Sequence, residues 1–300
     1  MRAGAPARWL VTGAGGMLGT DLVAVLAAAG HRVTAAPRRE LDVCDAGALA
    51  AAVPGHDVVV NAAAYTDVDG AEADAARAMA VNGDAAGHVA AACRTAGALL
   101  LQVSTDYVLS GTATVPYPED APGEPLNAYG RSKLAGERAV LEGLPGAGYV
   151  VRTAWLYGEH GRSFVATMLR LAARGEPVDV VDDARGQPTW TRPLAAGLAE
   201  LGDAALAGRA APGVYHATAA GEATWCELAR TVFALAGHDP ARVRPTTGDR
   251  YPRPARRPAY SVLGGERWAA AGLTPLAPWT RMLAGALRAP GFRALLQRGA

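Results

Sequence analysis

Short apolar runs recur along the first half of the chain, each followed by a turn and then by a segment with helical spacing. Trp9-Leu10-Val11, His31 to Ala36, Val58-Val59-Val60, Leu99-Leu100-Leu101-Gln102-Val103 and Tyr149-Val150-Val151 read as strands. Leu41-Asp42-Val43 reads as a further, very short one. Between them, Thr20 to Ala29, Ala46 to Val53, Ala71 to Ala96 and Tyr129 to Leu141 carry helical patterns; Gly30 stops the first and Asp45 caps the second. Strands alternating with helices predict a mostly parallel sheet covered on both faces.

After Trp155 the rhythm loosens. Ser163 to Arg174, Trp225 to Ala236 and a terminal Trp279 to Leu287 predict helices, Val178 to Val181 and Gly213 to His216 predict strands, and Arg250 to Arg257 is a loop rich in Arg and Pro. The expected organisation is a ligand-binding sheet domain over residues 1–155 and a smaller lobe, mainly 156–300, above its ligand edge. A segment near 213–217 is expected to return to the sheet. No internal repeat or low-complexity linker interrupts this plan.

Composition narrows the partners rather than the fold. The 300 residues are half hydrophobic with a formal net charge of +1, which gives no global attraction to nucleic acid or to an anionic membrane. Cys44, Cys93 and Cys226 are odd in number and widely separated, fitting neither a disulfide framework nor a zinc cluster, so a reducing compartment is expected. Met1 to Arg8 lacks the apolar core of a signal peptide, and no apolar run is long enough for a bilayer. A cytoplasmic location follows as an expectation.

The candidate chemistry sits at the ends of the strands. Thr12-Gly13-Ala14-Gly15-Gly16-Met17-Leu18-Gly19 links the first strand to the first helix, and glycines at 13, 16 and 19 suit a tight turn against a pyrophosphate at a helix N-terminus. In a chain with 36 glycines, a plain tight turn accounts for the same spacing. Arg38 and Arg39 follow the second strand where an NAD-selective site places an acid, which suits a ribose 2′-phosphate or, equally, two solvated arginines. Asp67 and Asp69 have no His or Cys beside them, so solvated carboxylates are expected there and no metal. Cys44 and Cys93 read as small buried residues, and the Arg250 to Arg257 run reads either as a grip on a diphosphate or as a solvated loop.

Lys133 is the only lysine in the chain, and it lies four residues after Tyr129. Residues at that spacing share a helix face, so the ammonium can favour the phenolate and make the tyrosine a proton donor near neutral pH; the pair by itself fits a surface lysine on an ordinary helix as well or better. Ser104-Thr105 places a hydroxyl pair at another strand end, where doubly wound sheets gather their ligands.

Taken in order, these motifs resemble the extended short-chain dehydrogenase/reductases, and within them the dTDP-4-dehydrorhamnose reductases. The carrying residues are the glycine turn, Leu41-Asp42-Val43, Asn61 to Asp69, Ser104 to Val108, Tyr129 to Lys133 and Arg152 to Gly158, with Gly186 to Thr189 and Arg257 to Leu263 in the second lobe. The resemblance implies an α/β fold, a Rossmann-type doubly wound parallel sheet with a smaller C-terminal substrate-binding lobe. It implies that hydride from NADPH, with NADH as the lesser cofactor, reduces the 4-keto group of a dTDP-4-dehydro-6-deoxyhexose such as dTDP-4-dehydro-L-rhamnose. By the same resemblance Tyr129 donates the proton, Lys133 binds the nicotinamide ribose and lowers the tyrosine's pKa, and Thr105 holds the substrate carbonyl. Gly13, Gly16, Met17, Leu18 and Gly19 face the diphosphate, Asp42 and Val43 flank the adenine, and Ala63, Ala64 and Tyr65 line the cofactor, beside Arg38. Thr66, Val68, Asp106, Tyr107 and Trp155 face the sugar. Another nucleotide-sugar 4-ketoreductase, an epimerase of the same fold, or a cofactor-binding regulatory subunit are the competing readings, and a homodimer is compatible with all of them. Leu109, Ser110 and Pro193 depart from the family's usual pattern, away from the proposed chemistry.

Overall fold

Six parallel strands form the central sheet of the computed structural model, which describes residues 6–297. The principal strands are β1 (Arg8–Thr12), β2 (Arg32–Ala36), β3 (Val58–Asn61), β4 (Leu99–Thr105), β5 (Gly148–Thr153), β6 (Val178–Val181), β7 (Gly213–His216) and β8 (Val243–Thr246). The central sheet runs β7-β5-β4-β3-β1-β2, and β6 pairs parallel with β8 in a separate two-stranded sheet. The longer helices are α1 (Met17–Ala28), α2 (Ala46–Ala52), α3 (Ala85–Ala96), α4 (Ala128–Gly143), α5 (Phe164–Arg174), α6 (Thr191–Leu206), α7 (Trp225–Leu235), α8 (Trp279–Ala286) and α9 (Pro290–Gln297).

Alternation along each strand feeds two cores. Trp9, Val11, Val58, Val60, Leu101 and Val151 pack on one face with α1 and α6, while Leu10, Val59, Leu100 and Val150 pack on the other with α3 and α4. Both faces are therefore covered, as parallel sheets require. Helix α6 comes from the second half of the chain, yet its Leu194, Leu198 and Leu201 are fully buried beside Leu22 and Leu26 of α1. Each such leucine contributes roughly 2 kcal/mol, which outweighs the about 1 kcal/mol forgone because Trp190 supplies no side-chain cap to α6. Gly202 permits the close packing, since a Cβ there would stand 2.1 Å from the Trp9 ring. A third core, built on Tyr157, Leu169, Phe233 and Phe292, holds α5, α7, α8 and α9 together.

Several elements differ from the sequence reading. Leu41-Asp42-Val43 is not a strand: the chain turns twice there, with the Leu41 amide donating to the Pro37 carbonyl at 3.0 Å and Asp45 to Asp42 at 3.0 Å. Leu41 and Val43 are apolar because they are buried under α2 and α3, not because they extend. The stretch 71–96 is mainly helical, as expected, but in pieces: Gly70–Ala73, Ala75–Met79, a π-helical turn over Ala80–Asp84, and then α3. Asp74 breaks it, leaving helical geometry and accepting from the Arg77 amide at 3.1 Å as the cap of the next piece. The helix after Trp279 does not close the chain, because α9 follows and buries Phe292. Among the described residues no helix is long and apolar enough to cross a membrane. The reading of the leader falls largely on residues 1–5, outside the described residues.

Candidate active site

Strands β2 and β3 leave β1 on opposite sides, and a cavity of about 860 Å³ opens at the carboxyl ends of β1, β3, β4 and β5. Such switch points are where open parallel sheets hold ligands. The residues that the resemblance assigned to cofactor, sugar and proton line this one cavity; Arg39 does not, its exposed side chain pairing with Glu40 at 3.0 Å.

The glycine turn is built for close approach. Gly13 has φ 66°, and a Cβ on it would stand 2.6 Å from the Ala63 amide nitrogen; a Cβ on Gly19 would stand 2.2 Å from the Gly13 carbonyl. Only glycine allows the β1 turn to touch the 62–64 segment and α1 to touch the turn. Helix α1 starts at Gly16 with no side-chain cap, so its first N–H groups remain available to an anion. Arg38, Arg77 and Arg162 put cations on the same cavity; the sequence reading pointed only to Arg38.

Asn82, in the π-helical turn, joins the cavity's two walls. It accepts from the Tyr65 amide at 2.8 Å, and its Nδ2 donates to the Tyr65 carbonyl at 3.0 Å and to the Ser132 hydroxyl at 2.9 Å. A π turn often marks a functional site; here it aims one side chain at the 62–66 loop and at α4. Asn127 caps α4 by accepting from the Gly130 amide at 2.8 Å. Gly130 and Gly136 then bring α4 against its neighbours, since their Cβ atoms would fall 2.2 Å from the Tyr107 carbonyl and 2.1 Å from the Asn82 carbonyl.

This packing sets Tyr129 at the β4 end, with Tyr107 edge-on to it at 5.7 Å between ring centres. Lys133 is 5% exposed and its Nζ donates to the Val103 carbonyl at 2.6 Å. Burial shifts the two side chains in opposite directions. Burial pushes the phenol above its ordinary value, opposed by the Thr105 side chain, while burial pulls the Lys133 ammonium down to about 8.

Thr105 donates to Asp106 Oδ1 at 2.9 Å and accepts from the Tyr107 amide at 3.2 Å. Asp106 is 1% exposed, and its Oδ2 makes no hydrogen bond of normal geometry, although the Ser261 hydroxyl is near enough to favour the carboxylate. Burial lifts its carboxyl to about 6 against the hydrogen bonds it accepts.

The loops of the second half close the site. Asp69 is not a solvated carboxylate: Arg257 grips both its oxygens, Nη2 to Oδ2 at 2.7 Å, and burial of the guanidinium is offset by this pairing. Asp67 accepts from the Gly70 amide at 2.9 Å. Arg253, Arg256 and Arg257 line a second cavity of about 740 Å³, bounded by α5, β6 and Trp225. Tyr107 and Trp225 belong to both cavities, so one aromatic wall separates them. Cys93 is buried, but Cys44 is exposed beside Asp42, because the turn at 42–45 carries its side chain outward. Ser110 meets the hydroxyls of Tyr117 and Thr112, and Leu109 lies in a small core with Val108 and Leu263.

The profile of the family described as RmlD substrate binding domain matches residues 7–290. A dTDP-4-dehydrorhamnose reductase of Streptomyces griseus is 58% identical over 278 residues, 92% of this chain and 91% of the relative. A dTDP-4-keto-6-deoxy-D-glucose reductase of Streptomyces niveus is 51% identical over 278 residues, covering 92% of this chain and 95% of the relative. Among solved structures, a dTDP-4-dehydrorhamnose reductase of Bacillus anthracis str. Ames in complex with NADP superposes with a TM-score of 0.89 at 32% identity, covering 94% of this chain and 99% of the other.

Proposed function

Because the chain belongs to the dTDP-4-dehydrorhamnose reductase family, we propose that it is an NADPH-preferring reductase of a dTDP-4-dehydro-6-deoxyhexose, with dTDP-4-dehydro-L-rhamnose as substrate. The observation that carries this reading is the convergence of the glycine cradle, Tyr129, Lys133 and Thr105 on one cavity. A dinucleotide fits the residues present: the Gly13 and Gly19 positions have no room for side chains, and the uncapped start of α1 offers amides to a diphosphate. Gly16, Met17 and Leu18 would hold that diphosphate, Ala63 to Tyr65 the middle of the cofactor, and Asp42 and Val43 the adenine end. Arg38 at the end of β2 would take the 2′-phosphate. When bound, the cofactor supplies hydride to the ketone carbon.

The chain's own residues handle the oxygen and the rest of the sugar nucleotide. Thr105, its hydroxyl hydrogen turned from Asp106 Oδ1 to the substrate, steadies the carbonyl oxygen as charge grows on it, and the hydroxyl proton of Tyr129 passes to that oxygen. Lys133 supplies positive charge on the cofactor side of the phenol. The orphaned Oδ2 of Asp106 offers an acceptor to a sugar hydroxyl, and Trp155 and Tyr107 give the ring a flat wall. The neighbouring cavity, with three arginines on one side, suits the nucleoside diphosphate. A cytoplasmic enzyme supplied with soluble nucleotide sugar is the setting that goes with these features.

The 51% identity to a dTDP-4-keto-6-deoxy-D-glucose reductase favours one second reading, a 4-ketoreductase acting on another hexose of this class. Assaying NADPH consumption against dTDP-4-dehydro-L-rhamnose and its 4-keto epimers separates the two. No turnover with the first and ready turnover with another ketosugar removes the rhamnose assignment, and no turnover with any removes the reductase.

A further inference from the structure

Behind Lys133, one helical turn further along α4, Glu137 lies 2% exposed against Arg152 of β5, itself 4% exposed. The guanidinium donates from Nε to Oε1 at 3.0 Å and from Nη2 to Oε2 at 2.8 Å. Ser104, the neighbour of Thr105, donates its hydroxyl to the same Oε1 at 2.5 Å. Ser104 and Arg152 are partners in the β4–β5 register, so the carboxylate bolts α4 to both strands at once. Tyr129, Lys133 and Glu137 therefore share one face of α4 at four-residue spacing. As a stabiliser such a pair is a poor choice, because desolvating two ions costs about as much as their attraction returns, and well-packed apolar side chains would serve as well. Its address argues for a different use.

We infer that Glu137 is a positioning residue for the reaction: clamped by Arg152 and Ser104, it fixes the Lys133 turn of α4 on the β4–β5 edge and keeps the ammonium charged in a dry site. The inference rests on the reading of Tyr129 and Lys133 as the reacting pair. The charged and titratable groups around the clamp are Tyr129 and Lys133 on its own helix, Arg152 on β5, His216 on β7 and Glu119 in the loop before α4. Arg152 Nη1 reaches the Glu119 carbonyl, and the Glu119 carboxylate is turned to the Arg267 amide. Burial and Arg152 push His216 down to about 3, so it is neutral in the working range. Glu137 is accordingly the charge that opposes the effect of burial on Lys133.

The lone lysine makes the test direct, because ¹³C-labelled lysine gives one reporter signal in the intact protein. Glu137→Gln is expected to lower the pH midpoint of that signal by about half a unit or more, to shift the alkaline limb of kcat by the same amount, and to leave the NADPH KM within about twofold. Glu137→Asp, which keeps the charge, is expected to restore most of the midpoint. An unchanged midpoint in Glu137→Gln overturns the inference, whatever happens to stability. If that variant does not fold, the pair Glu137→Gln with Arg152→Met leaves no orphaned charge; a smaller fall in the same direction is expected there, because a cation is removed with the anion, and an unchanged midpoint overturns it equally. The titration needs no turnover, so an inactive wild-type protein would remove the functional reading without touching this result.

Discussion

The indole of Trp155 lies flat against that of Trp225, ring centres 3.6 Å apart and planes 7° from parallel. Trp155 follows β5 with φ 46°, the one non-glycine positive φ among the described residues, and Gly186 leaves room for its ring, since a Cβ there would stand 2.4 Å from it. A left-handed residue of this size costs on the order of 1–2 kcal/mol. Such strain gathers where a side chain must be aimed for function. Trp225 opens α7 and lines both cavities, so the stack makes the wall at which sugar and nucleotide would meet.

Replacing Trp225 with Ala removes that wall but leaves the glycine cradle intact. A lost stack of about 0.5–1.5 kcal/mol predicts a roughly 2- to 10-fold rise in KM for the sugar nucleotide, with NADPH KM little changed. Steady-state kinetics in both substrates check this, and near-UV circular dichroism reports loss of the indole pair. An unaltered sugar KM would count against the shared wall.

Tyr129→Phe deletes the proton donor while keeping the ring that Tyr107 meets edge-on. The expected outcome is a loss of about 10²-fold or more in kcat with an unchanged melting temperature. Single-turnover mixing with saturating NADPH measures it; turnover close to wild type would show that the proton comes from elsewhere.

Arg38 is 71% exposed on its side chain and stands 3.7 Å from Asp42, so Arg38→Ala leaves folding alone. The NADPH KM is expected to rise about tenfold, in line with the loss of one charge-assisted contact, and the NADH KM to hold steady. Equal effects on the two cofactors would remove the 2′-phosphate role.

Asp106 supplies a prediction for stability with a definite sign. Its carboxyl is raised from an ordinary 3.8 to about 6, so between those values the folded protein holds a proton that the unfolded chain has released. Stability from this group falls as pH rises through that window, and the full penalty, about 2–3 kcal/mol, persists above it. Asp106→Asn is expected to raise the melting temperature at pH 7.5, to lose that advantage below about pH 4, and to lower kcat by removing the free acceptor. Calorimetry at both pH values decides; a gain that is the same at each would mean the carboxylate carries no such cost.

Much of this site could be read from the chain because its parts are local. The turn from Gly13 to Gly19, the Tyr129–Lys133 spacing and the small residues after Asn61 each need only neighbours in sequence to declare themselves. What escaped is long-range or depends on which way a side chain turns. Nothing near Asp69 announces Arg257, 188 residues away, and Trp225 looks like any aromatic at a helix start until it is laid on Trp155. Arg77 and Arg162 were invisible among the chain's many arginines. Leu41 and Val43 misled because two buried side chains separated by one exposed residue give a strand's alternation in a double turn. The π turn at 80–84 has no helical-period signature of its own; only the contacts made by Asn82 reveal it.

Strand β7, paired with β5 from Gly213 to His216, has a consequence for how the protein is made. During synthesis β5 emerges some 60 residues before its partner, and its outer edge of backbone N–H and C=O groups stays open for that interval. Open edges recruit foreign strands, and slow closure of distant pairs prolongs the exposure. The nascent chain is thus most prone to mispair after residue 153 and before residue 216 has left the ribosome, and substitutions that weaken β7 should show first as poor yield from the cell rather than as poor catalysis in the protein that survives.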